Sequence, residues 1–372
     1  MGDFFSGLDI TLRASLMLAA CAMLMLVSLG LFLRNIEARS SRFLGGFLLV
    51  VGMSFIPQII GFSGFYQKWP ELTFLPINNV LLLPGLLYLH AYTLMYDKPI
   101  GRRYWLLLPG ILQFIYYLTL FLIFDDYRDK WAFSKAYHTP YIFPLEVALA
   151  VILFAAVFYV ILRDSNRYQR FLEHTESIPV EFKPVWLKQM IYAFSTVLIL
   201  LAGLNLYEVL IAPVSYVNAY PLQLLSVVAL SWFGLQAINW IRQPYPKFRV
   251  LNEKPQQDSA EKWLEAGQSL KEQVIDHAWY LEPRINLSLL ARRMATNETY
   301  ISKAINTGLG MSFSAFINEQ RVQHALKMMQ ETQLNILDIA LQSGFNSKAS
   351  FNRVFKEHQK VTPSVARAAL AQ

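Results

Sequence analysis

The stretch NILDIALQSGFNSKASFNRVF, residues 335–355, holds two helical patterns separated by Gly344-Phe345, and its reading decides the C-terminal fold. Asn335 stands where a cap accepts a free N–H, and Ile336, Ile339 and Ala340 follow at helical spacing. Ala340 is small enough for a second helix to cross closely. Gly344 falls four residues later at the turn, and Phe345 enters the core. Ser347 or Asn346 then caps a reading helix over Lys348–His358. The first helix of this pair is expected over Ile336–Ser343.

Working outward, the pattern repeats about fifty residues earlier in NLSLLARRMATNETYISKAI, residues 286–305. Asn286 caps Leu287–Met294, Ala295-Thr296 makes the turn, and Asn297 caps a helix from Glu298 to about Asn306. Ala291 sits at the crossing, while Leu290, Met294 and Ile301 fill the wedge. Between the two units, Ser314–Gln330 reads as one helix with Phe316, Ile317, Val322, Ala325, Leu326 and Met329 inward. Upstream, Pro244, Pro246 and the run Pro255–Ser259 mark a linker. A helix beginning near Ser259 carries Trp263, Leu264, Leu270, Val274 and Ile275 on one stripe. It either completes the core of the following domain or acts as a rod carrying a signal.

One such motif is weak, but two in tandem joined by a helix are specific. Residues Ile339-Ala340, Gly344-Phe345, Phe351, Phe355-Lys356 and Thr362-Pro363, with Arg321 upstream, resemble the DNA-binding domain of AraC/XylS-type transcription regulators. The resemblance covers roughly Ala266–Gln372. It implies two reading helices in successive major-groove segments of promoter DNA. The chain departs from the family at Lys360, where glycine is usual after the second reading helix; a left-handed residue there is strained, or the helix ends differently.

From the residues alone, the groove-facing positions are Thr299, Ser302, Lys303 and Asn306 on the first reading helix and Lys348, Ser350, Asn352 and Arg353 on the second. Arg353 is the best candidate for a base edge, because its planar fork matches guanine O6 and N7. Lys303 and Lys348 suit phosphate, which sets affinity without reading sequence.

The rest of the chain has a different composition. With 55% hydrophobic and 16% charged residues, 372 residues are too apolar for one water-soluble domain. A bilayer core about 30 Å thick takes roughly 20 apolar helical residues. Seven segments are expected to meet that length: Ala14–Leu33, Phe43–Phe65, Phe74–Tyr96, Tyr104–Phe124, Ile142–Leu162, Gln189–Ile211 and Tyr216–Ile241. The fold class is therefore all-α, a seven-transmembrane-helix bundle (1–241), a linker (242–262) and an all-helical domain with two helix-turn-helix units (263–372). Leu18-Ala19-Ala20-Cys21 imitates a lipoprotein cleavage box, but apolar sequence continues beyond it, which favours a first span.

Lysine and arginine near span ends stay cytoplasmic. One side carries fourteen of them and the other five, namely Arg13, Lys68, Arg128, Lys130 and Lys135. The N-terminus is thus expected outside the cytoplasmic (inner) membrane and the C-terminal domain in the cytoplasm, where DNA is.

Polar side chains within spans mark helix contacts or sites. Asn78, Asn79, Glu146, Asn205 and Glu208 are all expected near the outer surface, with Gln223 at similar depth and His90 apart from them. They are candidates for a ligand pocket; the alternative is helix-to-helix bonding. His138, Asp125, Asp126 and Asp129 share a loop that reads as solvated rather than metal-binding. The sequence has no His-Glu-x-x-His, phosphate loop or cysteine pair, and no catalytic residue, metal or cofactor is expected. The reading is a membrane-bound one-component regulator whose partners are promoter DNA, lipid, a small-molecule or lipid signal, a second copy of the chain and, for an activator, RNA polymerase. The alternative is a transporter or membrane enzyme with a regulatory tail.

Overall fold

The computed structural model describes residues 11–211, 216–241, 243–248 and 260–370, apart from the side chains of residues 67, 180, 202, 205, 206, 208–210 and 216. Among them the regular elements are all helical. In chain order they are α1 Leu12–Phe32, α2 Ala38–Ser54, α3 Ile56–Phe62, the single turn α4 Phe65–Lys68, α5 Leu83–Met95, α6 Leu108–Ile123, α7 Tyr127–Phe133, α8 Phe143–Thr175, α9 Val185–Leu210 and α10 Tyr216–Trp240. The C-terminal set is α11 Ala260–Asp276, α12 Leu287–Arg293, α13 Glu298–Lys303, α14 Phe313–Glu331, α15 Ile336–Gln342, α16 Lys348–Gln359 and α17 Pro363–Leu370.

The chain divides into two compact units, Met1–Ser165 with Pro184–Lys247, and Asn166–Lys183 with Phe248–Gln372. In the first, α1 packs on α2 and α10, α2 on α5, and α10 on α9. Among the described residues, five helical stretches are long and apolar enough to cross a membrane: Leu12–Phe32, Ala38–Phe62, Gly101–Ile123, Tyr127–Thr175 and Val217–Trp240. Val80–Met95 is apolar but shorter, and α9 is apolar over Val185–Leu201, up to the first of its side chains outside the described residues. Among the described residues, five of the seven expected spans thus appear as long apolar helices.

Proline explains most of the differences. Pro57, Pro84 and Pro109 fall in first turns, where their missing N–H breaks no helical bond. The second stretch therefore breaks at Phe55, and the third becomes regular helix only at Leu83, after a 3-10 turn over Val80–Leu82. Asn78 and Asn79 consequently lie in the lead-in to that helix and not one turn inside it, as expected. The fifth stretch departs in the other direction: α8 continues thirteen residues past Leu162, through Arg163, Arg167 and Arg170, to Thr175. Helix α1 runs without a break through Cys21.

Polar contacts fix the end of α10. Arg34 donates to the carbonyls of Ile238, at 2.6 Å, and Ile241, occupying acceptors that a helix end leaves free. Lys247 reaches Glu37 at 2.5 Å and also donates to the Thr93 and Leu94 carbonyls. His90 is fully buried, its Nδ1 2.9 Å from Ser40 Oγ, and holds α5 to α2.

The second unit has two cores that share α14. Trp263, Leu270 and Val274 of α11 join Leu290, Ala291, Ile301, Ile305, Phe313, Phe316 and Ile317 in the first. Val322, Ala325 and Met329 join Ile339, Ala340, Phe345, Phe351, Val354 and Phe355 in the second. Helix α11 therefore completes a core, the first of the two roles open to it. Leu264 and Ile275, expected on its buried stripe, are instead exposed. Its backbone lies against the turn after α13, where a Cβ on Gly308 would stand 2.0 Å from the Trp263 carbonyl oxygen, so only glycine fits.

Candidate nucleic-acid interface

Each reading helix begins at a side-chain cap. Asn297 Oδ1 accepts the Tyr300 N–H at 2.8 Å, and Ser347 Oγ accepts the Ser350 N–H at 3.2 Å. Of the two caps open for α16, Ser347 is the one used. The preceding helices are capped likewise, by Asn286 to Leu289 and Asn335 to Asp338, both at 2.9 Å. Such a cap contributes about 1 kcal/mol and fixes the entry of each helix.

Both turns use a left-handed residue four positions after the crossing alanine. In the first it is Ala295, with φ 49°, and in the second Gly344, with φ 83°. A Cβ on Gly344 would meet the Leu281 carbonyl oxygen at 2.8 Å, so this position needs glycine for space as well as for φ. Lys360 is also left-handed, φ 63°, and its N–H bonds the Lys356 carbonyl at 2.9 Å. The helix thus ends where the glycine pattern placed its end, with a lysine bearing the strain.

The side chains divide unevenly between the two reading helices. On α16, Lys348, Asn352 and Arg353 are exposed, as a groove-facing set requires. Ser350 is buried and does not belong with them. Beside α13, Thr299, Lys303 and Asn306 are half-buried, and Ser302 is buried although expected outward. Tyr300, expected inward, is 37% exposed and packs its ring on Trp263. The helix is rotated relative to the expectation because Tyr300 and Lys303 both lie against the Trp263 ring, the lysine 5.6 Å from its centroid. Asn306 lies in a π turn after α13, where its Nδ2 donates to Ser302 Oγ at 3.0 Å.

Arg321 is the residue whose role the sequence reading left undefined. It is fully buried, donating from Nε to the Tyr280 carbonyl at 2.7 Å and from a terminal nitrogen to the Glu282 carbonyl at 2.8 Å. Burial lowers its pKa to about 10, against an opposing pull from Glu181. It ties the shared helix to the 280–282 turn, on which Gly344 also rests. An arginine at the i+4 step between Ile317 and Ala325 was the available signal.

In the first unit, Asn78 and Glu146 lie beside one cavity. With Gln113 they line a mostly apolar cavity of about 160 Å³ walled by Phe143, Val147 and Phe154. Glu146 accepts from Tyr117 Oη at 3.0 Å, and Gln113 Oε1 accepts the Leu81 N–H at 2.9 Å. A neighbouring cavity of about 260 Å³ also reaches Asn78, along with Tyr117, Trp131 and His138. The Oδ1 atoms of Asn78 and Asn79 are buried without a hydrogen-bond partner. Asn79 and Gln223 line neither cavity. The side chains of Asn205 and Glu208 lie outside the described residues. His138 stands 3.0 Å from Tyr116 Oη and packs on Phe74, and no metal-binding group of His, Cys, Asp or Glu occurs among the described residues.

Comparison with known proteins agrees with the two helix-turn-helix units. Residues 290–369 match a helix-turn-helix domain family. Over 83 residues the chain is 40% identical to an uncharacterised HTH-type transcriptional regulator of Staphylococcus aureus strain MSSA476, and equally to one of strain N315. These matches cover 22% of this chain and 11% of those relatives, so the chain spans about a tenth of their length. It is 31% identical over 83 residues to the probable transcription factor PqrA of Proteus vulgaris, covering 22% of this chain and 68% of that protein. No solved structure matches the chain. Through its C-terminal helix-turn-helix units the chain belongs to the AraC-type helix-turn-helix family.

Proposed function

We propose that the protein is a membrane-held, one-component transcription regulator. Residues 1–241 detect a signal, and two helix-turn-helix units bind promoter DNA and change transcription. The observation that carries this reading is α16: a capped twelve-residue helix presenting Lys348, Asn352 and Arg353 outward, preceded by a second capped unit of the same design. Arg353 reads a base edge, Asn352 and Thr299 add contacts, and Lys303 and Lys348 neutralise phosphate.

The first unit suits a bilayer. Its long helices leave Leu26, Ile115, Ile152 and Ile199 more than half exposed, a cost in water that lipid removes. With α9 and the helix at Val80–Met95 added to the five long stretches the chain would cross seven times, and the fourteen-to-five cation bias favours a C-terminal unit in the cytoplasm. The signal is an apolar molecule with a hydrogen-bond donor, because the cavity at Asn78 is apolar except for Asn78, Gln113 and Glu146, and Asn78 Oδ1 lacks a donor. A second copy of the chain on a paired site would raise the effective concentration, and RNA polymerase is the further partner of an activator.

Two variants test the two halves. Arg353→Ala should weaken binding to the duplex that the full chain, in detergent, selects from a random library, and should relax its preference at one base pair. Ala150→Phe, which fills the cavity, should leave membrane levels and duplex binding intact but make a reporter insensitive to cell extracts that induce the wild type. An unchanged base preference in Arg353→Ala would refute the reading of α16, and normal induction of Ala150→Phe would refute the cavity.

A further inference from the structure

Residues 173–183, from the last turns of α8 into the connection to α9, belong to the same compact unit as the helix-turn-helix domain. They touch both halves of it. His174 Nδ1 stands 3.1 Å from Asn306 Oδ1, beside the first reading helix. Asn346 Nδ2, in the turn that leads into the second, donates to Glu181 Oε1 at 3.0 Å. The Ser177 carbonyl accepts from Ser314 Oγ at 3.3 Å and from Asn318 Nδ2 at 3.2 Å, both on the shared helix α14. Glu176 makes an isolated antiparallel bridge with Asn286, the cap of α12. Glu173 and Lys183, themselves paired at 3.0 Å, face Arg353, Glu357 and His358 across a polar cleft of about 290 Å³.

We propose that this segment is an autoinhibitory clamp that competes with duplex DNA for the reading surface. The inference rests on the assignment of Arg353 and Asn306 to that surface. A base edge or phosphate must come within about 3 Å of a reading side chain to bond it. At Asn306 that distance is already filled by an imidazole, and Arg353 opens into a cleft whose far wall is Glu173, Pro179 and Lys183. Two carboxylates, Glu173, itself paired with Lys183, and Glu181, supply negative charge that a DNA backbone would otherwise bring. The clamp is held by these hydrogen bonds and by the burial of Ile178, so a signal that opens it must offset both. It is joined through α8 to Glu146 and Ala150, which line the proposed signal cavity. A ligand that favours the open arrangement raises DNA affinity by the ratio of its own affinities for the two states.

The experiment uses the full chain in detergent with Cys21→Ser, Glu181→Cys and Asn346→Cys, joined by a short bismaleimide. The probe is a duplex selected from a random library by the clamp-opened variant His174→Ala/Glu181→Ala. The opened variant should bind that duplex about tenfold more tightly than the wild type, and joining the two cysteines should weaken binding by about tenfold or more. The clamp is overturned if the joined protein binds as tightly as the unjoined one, if the opened variant gains nothing, or if the two cysteines cannot be joined. Should the opened variant select no duplex in an Arg353-dependent way, DNA reading itself fails and the clamp fails with it.

Discussion

Arg321 donates to the Tyr280 carbonyl at 2.7 Å, so a fully buried guanidinium fastens the helix common to both DNA-reading units onto the turn between α11 and α12. Removing it strands two acceptors and opens a cavity. Arg321→Ala should destabilise the C-terminal unit by roughly 3 kcal/mol. Pulse proteolysis across a urea series would detect this as earlier cleavage after residue 260, with the first unit unaffected.

The two turns should respond oppositely to the same exchange. Gly344→Ala places a Cβ against the Leu281 carbonyl and should cost well over 1 kcal/mol, through strain and overlap together. Ala295→Gly and Lys360→Gly each relieve a left-handed residue and should gain up to about 1 kcal/mol, less the extra freedom of glycine in the unfolded chain. Urea midpoints of the three variants check the signs.

Arg353 and Lys348 lie on one helix but should fail in different ways. Arg353→Ala should lose about 1–3 kcal/mol against the preferred duplex and relax preference at one base pair. Lys348→Ala should weaken all duplexes alike and lower the slope of log K against log salt by about one. Binding titrations at several salt concentrations separate the two.

Glu176, whose backbone bridges to Asn286, has its carboxyl raised to about 7 by burial, from an ordinary value of 4.5. The folded unit thus holds a proton that the unfolded chain releases. The stability linked to this group is greatest below about pH 4.5, falls as pH rises towards 7, and is level above. Glu176→Gln should remove that slope and make the unit more stable than the wild type at pH 8. Urea midpoints at pH 5.5 and pH 8 measure both effects.

The C-terminal fold was legible in the sequence because its signals are local. Caps such as Asn297 and Asn335 act within three residues, and alanine and glycine at fixed steps from them set the crossing and the turn. Burial on the reading helices was less legible. Ser302 and Ser350 are small and polar, and only the packing of Tyr300 and Lys303 on Trp263 decides which way α13 is turned. The length of α8 was hidden because hydropathy marks where a membrane core would end, whereas helical bonding continues through Arg163–Arg170 at no cost in water. Residues 173–183 gave no signal, since their contacts with Asn306, Ser314 and Asn346 are polar, aperiodic and more than a hundred residues away in sequence.

The central claim is that a protein held in the membrane reads DNA with α16. The most direct measurement is sequencing of the DNA cross-linked in cells to full-length protein recovered from the membrane fraction, with Arg353→Ala as the comparison. The account predicts discrete genomic sites sharing paired sequence elements, recovered less in Arg353→Ala and with preference relaxed at one base pair. Equal recovery with Arg353→Ala, or bound DNA found only with fragments lacking residues 1–241, would contradict it.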